Sequence, residues 1–124
     1  MSLVIENDGT ISMYQGDTGY VDVNGLNPEK NYNVWFAVRD KKRNLVGQEL
    51  MVTSNFETSV SFFLDADFTD LLTVGNNKQF ETYFYGIKVN EVDTDEEDTL
   101  FVGNKDYGEL NLMIVYPKQV EGNA

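Results

Sequence analysis

Carboxylates are the only side chains in this sequence whose grouping suggests chemistry. Asp93, Asp95 and Glu97 alternate within the most acidic segment, Asn90 to Asp98, as oxygen ligands do at the start of a calcium loop. The glycine expected at the sixth position of such a loop is Asp98, and no glutamate stands at the twelfth. A charged hairpin tip that discourages sheet-edge association is the plainer expectation. Asp65, Asp67 and Asp70 form a second group. Paired carboxylates act as acid and base when their surroundings split their pKa values. These three flank a helix start, where capping and the helix dipole offer them simpler duties. The third group is Gly16-Asp17-Thr18-Gly19. Asp-Thr-Gly occurs in aspartic proteases, but those need two such aspartates between long lobes, and this chain offers one in 124 residues. The segment also lacks the lysine of a phosphate loop, so it reads as a turn.

The sequence contains no histidine and no cysteine. Histidine is the usual general base near neutral pH and the commonest metal ligand, and thiolates supply most remaining nucleophiles and zinc sites. Ser-His-Asp triads, Cys-His pairs and ordinary zinc centres are therefore excluded. The protein is expected not to be an enzyme, with no catalytic residues, cofactor or bound metal. Nine basic against 21 acidic residues give a net charge of −12, which repels phosphate backbones and anionic lipid. Neither nucleic acid nor a membrane is an expected partner. The start, Met1 to Val4 followed by Glu6 and Asp8, has no basic, apolar leader. No stretch has the length of a transmembrane span.

The elements that must position these groups are mostly strands. A single domain over 1–124 is expected, with frayed ends at 1–9 and 117–124. Thr10–Tyr14 alternates, with Ile11 and Met13 on one face. Tyr20–Val23 resumes after the Gly16–Gly19 turn. Tyr32–Val38 places Tyr32, Val34, Phe36 and Val38 on one face, and Trp35 and Ala37 on the other. Arg39–Asn44 is a charged hairpin tip. Leu45–Thr53 returns, and Thr58–Leu64 alternates with Val60, Phe62 and Leu64 inward. A helix over about 65–74 follows, with Phe68, Leu71 and Leu72 on its apolar face, a cap from Asp65 or Asp67, and Gly75 as a left-handed stop. Phe80–Val89 reads as a central strand with Tyr83, Tyr85, Ile87 and Val89 on one face; Gly86, on the other, permits close backbone approach. Thr99–Val102 is a short strand. The last strand, Leu110–Tyr116, is expected to turn Leu110, Leu112, Ile114 and Tyr116 inward. Val34, Phe36, Val60, Phe62, Leu64, Leu72, Ile87 and Leu112 are the expected core. The fold class is all-β: an antiparallel, Ig-like β-sandwich of seven to eight strands, with the short helix plugging one end.

Tyr14, Tyr20, Trp35, Tyr83 and Tyr107 are aromatic residues that could stack on sugar rings, although strand aromatics more often serve cores and interfaces. The order Ile11-x-Met13-x-Gln15-Gly16-Asp17-Thr18-Gly19, then Val38-Arg39-Asp40, Val60-x-Phe62-x-Leu64, Phe68 to Leu72 and Tyr83-x-Tyr85-Gly86-Ile87-x-Val89 resembles the N-terminal domain of tailed-phage baseplate upper proteins. The family's closing strand would fall at Gly108 to Val115. The resemblance spans about Ile11 to Val115; Gln79-Phe80-Glu81-Thr82 departs from it where the family has a glycine. It implies a virion location, other virion structural proteins as partners, and homo-oligomers such as trimers or rings. The resulting expectation is a non-enzymatic structural protein of a phage or prophage tail, baseplate or fibre. The alternative is a carbohydrate- or calcium-binding sandwich of a bacterial surface protein.

Overall fold

The computed structural model describes residues 3–5, 9–94, 97–100 and 111–119. Nine strands and one helical turn occur among them. In chain order they begin with β1 (Val4–Ile5), β2 (Ile11–Tyr14), β3 (Gly19–Asn24), β4 (Tyr32–Arg39), β5 (Leu50–Thr53) and β6 (Ser59–Leu64). The helical turn α1 (Ala66–Thr69) precedes β7 (Glu81–Glu91), β8 (Glu97–Leu100) and β9 (Asn111–Tyr116). The all-β expectation is met.

The strands divide into a large sheet ordered β1-β2-β9-β7-β4-β5, with β8 also on β7, and a two-stranded layer of β3 and β6. Alternation explains the small layer. Val21 and Val23 of β3, with Val60, Phe62 and Leu64 of β6, point inward and are buried, while Tyr20, Asp22, Ser61 and Phe63 face out. They meet the inward face of the large sheet, where the Phe36 ring lies 5.6 Å from both Phe62 and Tyr85. Val34, Phe36, Val38, Ile87, Met113 and Val115 complete this core, each at most 4% exposed. At its rim, the Tyr85 hydroxyl donates to the Gly9 carbonyl, and the Tyr83 hydroxyl donates to the Thr73 carbonyl. Two large core rings thus end on satisfied polar atoms.

Four expectations need correction. The large sheet is mixed: β2 runs parallel to β9, with Ile11 opposite Met113 and Tyr14 opposite Tyr116. A parallel pair needs a long crossover, and here nearly the whole chain supplies it. Second, β9 turns the other way, burying Asn111, Met113 and Val115 and leaving Leu112 only half-buried on the outer face. Its sequence is apolar on both faces, so alternation sets no phase; pairing with Tyr83 and Ile11 does. Third, α1 is one turn, not a helix to residue 74. Phe68 and Leu72 join the core, but Leu71 is 52% exposed. Gly75 is not left-handed; Asn77 is, at φ 64°. Fourth, the N-terminal segment is not wholly frayed, because Leu3 is buried and Val4–Ile5 pairs with Ser12 and Ile11.

Candidate interaction surface

The candidate carboxylates have structural duties. Asp65 caps α1, its Oδ1 accepting the Phe68 N–H at 2.8 Å. Asp70 lies at the other end of α1; its carboxylate meets Lys118 Nζ at 2.7 Å, and its carbonyl accepts from Gln15 Nε2 at 2.9 Å. Asp67 stands in the first turn of α1 and is exposed. The Gly16–Gly19 motif clamps this same corner. Gly16 adopts φ 85° in the turn closed by Asp17 N–H on the Tyr14 carbonyl. Thr69 Oγ1, fully buried, donates to the Asp17 carbonyl at 2.7 Å. Gly19 has a different reason to be small: a β-carbon there would lie 2.6 Å from Leu3 Cβ.

The acidic segment is partly strand. β7 continues to Glu91, which meets Lys30 at 3.8 Å, and β8 starts at Glu97. Asp95 lies outside the described residues. Among the described residues no group of three or more acidic side chains is placed to hold a metal. The charged tip at Arg39–Asn44 is ordered by Asp40, whose Oδ1 accepts the Lys42 and Asn44 N–H groups at 2.8 and 3.0 Å. Next to it, Glu81 meets Lys41 at 2.9 Å and Lys78 at 3.1 Å. Hydrogen bonds from Lys41 and then Lys78 pull the Glu81 carboxyl down to about 2. The same contact raises Lys41, while burial raises Tyr83.

The aromatic candidates do not converge. Tyr83 is in the core, Tyr20 pairs with Phe63 on the outside of the small layer at 5.0 Å, and Tyr107 lies outside the described residues. Tyr14 and Trp35 share the outer face of the large sheet, at different strands.

That outer face is the feature that strand-by-strand reading missed. The β9 reversal turns Leu112, Ile114 and Tyr116 toward it, beside Phe84 of β7 and Trp35 and Ala37 of β4. Tyr116 is 5.6 Å from Tyr14 and 6.3 Å from Phe80, ring centre to ring centre, and all three rings are more than a third exposed. At the middle of the face, Gly86 lies opposite Ala37. Nothing stands within 4 Å of where a Gly86 β-carbon would be. The result is a dent with a Gly86–Ala37 floor. Its corners are the cross-strand pairs Phe84–Arg39 and Lys88–Trp35. On β2, β4, β5, β7 and β9 the charged residues of this face are Arg39 and Lys88, both basic, on a chain of net charge −12. The two-sided apolarity of Asn111–Tyr116 was the available signal. A strand apolar on both faces either is covered on both or presents a surface.

Among the described residues no helix is long and apolar enough to cross a membrane. No protein-family model matches the chain, and no curated protein matches it.

Proposed function

We propose that this protein is a non-enzymatic structural component that acts by protein–protein assembly through the outer face of its large sheet. The observation that carries this reading is the run of Tyr14, Tyr116, Phe80, Ile114, Leu112 and Phe84 across adjacent strands, continued by Trp35. Exposed apolar patches rimmed by polar groups mark interaction sites, and aromatic residues with arginine are the types enriched in interface centres. The setting we propose is a tailed-phage or prophage virion, in its tail, baseplate or fibre, on the resemblance carried by Ile11–Gly19 and Tyr83–Val89. In that setting we read the two layers as an Ig-like sandwich.

The test is recovery in particles. The chain should be present in purified particles from a producing culture. Ile114→Glu should abolish incorporation while circular dichroism and melting temperature stay near wild type, because Ile114 is on the outer face and not in the core. Purified particles that lack the wild-type chain would overturn the virion setting. Normal incorporation of folded Ile114→Glu would overturn the assembly surface.

A further inference from the structure

The turn joining β5 to β6 has an unusual backbone. Asn55 and Phe56 both occupy the left-handed region, at φ 53° and 61°. The Glu57 N–H donates to the Ser54 carbonyl at 3.1 Å. Two successive positive φ values closed in this way define the hairpin turn whose second central position is normally glycine. Here it is phenylalanine, whose β-carbon crowds the backbone in that conformation. Burial of the ring does not offset that strain, since Phe56 is 59% exposed, the most of any large hydrophobic side chain described. The tip is nonetheless held firmly. Asn31 Oδ1 accepts the Asn55 N–H at 2.8 Å, and the hydroxyl of buried Ser54 accepts the Tyr32 N–H at 2.9 Å. A strained, exposed ring on a braced tip is the kind of feature retained for a contact outside the fold.

The same chain carries a complementary receptor. The Gly86–Ala37 dent is open above its floor, flanked by Trp35 and Phe84, and has Arg39 and Lys88 at its corners. Phe56 is followed by Glu57, exposed on an acidic chain. We propose that Phe56 of one copy seats in the Gly86 dent of a second copy, with Glu57 against Arg39 at its corner. The tip lies beyond the Asn33–Thr53 end of the β4–β5 pair, and Ala37 is four residues further along β4. At ~3.3 Å per residue that is about 13 Å of strand, so a tip cannot reach its own dent. Copies of net charge −12 repel one another, and this contact joins an acidic tip to the basic part of the face. A reciprocal contact closes a two-fold dimer, and a one-way contact builds a ring or a filament according to its rotation. The inference rests on reading the outer face as an assembly surface, and it names the occupant.

Sedimentation equilibrium of the purified chain, at moderate salt and over a wide concentration range, tests it. The wild type should gain mass with concentration. Phe56→Gly removes the ring and relieves the positive-φ strain; Gly86→Val fills the dent with a residue that suits a strand. Both variants should keep or raise the melting temperature, yet associate roughly 30-fold more weakly or worse. Mixed together they should associate again, because one supplies an intact dent and the other an intact tip. Glu57→Arg and Arg39→Glu should each weaken association, and their combination should restore part of it. A wild type that stays monomeric throughout overturns the tip-in-dent contact, while particle recovery still decides the assembly reading independently. Unchanged association of folded Phe56→Gly, or failure of the mixture, also overturns it.

Discussion

Gly19→Ala isolates the close approach at the end of the Gly16–Gly19 motif. Gly19 is buried in β3 and has no left-handed φ, so alanine fits its backbone and only space opposes it. The added carbon would stand 2.6 Å from Leu3 Cβ, 3.1 Å from its Cδ1 and 3.4 Å from its Cγ. Real carbon atoms do not approach to the first of these distances, so Leu3 or β3 must move. Overpacking of this kind costs ~1–3 kcal/mol. The upper bound is set by expelling Leu3, which is 6% exposed and whose full burial is worth ~1.5–3 kcal/mol. We expect a loss of about 2 kcal/mol by urea unfolding, with the midpoint lowered and the slope unchanged. Leu3→Gly alone should lose at least as much. Gly19→Ala made on that background should lose little more, because the Leu3 Cβ that the new methyl meets at 2.6 Å is gone. Additivity of the two losses within ~0.5 kcal/mol would refute this reasoning.

Three further outcomes are expected. Thr69→Val keeps shape but leaves the Asp17 carbonyl without its 2.7 Å donor, so it should lose ~1–2 kcal/mol, while Thr69→Ser should lose about 0.8 kcal/mol for its missing methyl. Asp65→Ala removes the cap on the Phe68 N–H and should lose ~1 kcal/mol, with Asp65→Asn retaining most of it. Glu81 has its pKa lowered from 4.5 to about 2, so its stabilisation is fully present above pH 4.5 and is lost as pH falls toward 2. Its lysine partners are about half exposed, so water screening holds the stabilisation well below what the shift alone implies. Glu81→Gln should therefore lose about 1 kcal/mol at pH 7 and lose that difference from wild type in acid melts. A difference that persists unchanged at pH 2 would refute the pairing.

Strands with one polar face are legible from residue order alone. In β3 and β6 each inward residue is flanked by outward ones, and a slip by one position would bury Asp22 and Ser61 while exposing Val21 and Phe62. Seven of the eight expected core residues, from Val34 to Ile87, are buried. Leu112 is the exception, and it is the informative one. Its strand offers Leu112 and Ile114 on one side and Met113 and Val115 on the other, so either phase buries apolar groups. With that phase wrong, the outer face of the large sheet cannot be assembled from the sequence. Phe56 was hidden for a related reason. Ser54-Asn55 has the composition of a turn, but residue type gives no sign that phenylalanine takes the glycine conformation.

The sequence by itself determined which chemistry is excluded, since a missing imidazole or thiol is a property of composition and no folding can supply one. It also determined where the strands with one polar face lie and which way they turn, because alternation is local and carries its own phase. Tertiary structure alone decided the rest. The parallel pairing of β2 with β9 joins residues about a hundred positions apart, beyond any local signal. That pairing, with β7 on its other side, fixed the face of β9. It thereby gathered Tyr14, Tyr116, Phe80, Ile114, Leu112 and Phe84 into one surface, because neighbours across a sheet are set by register and not by sequence distance.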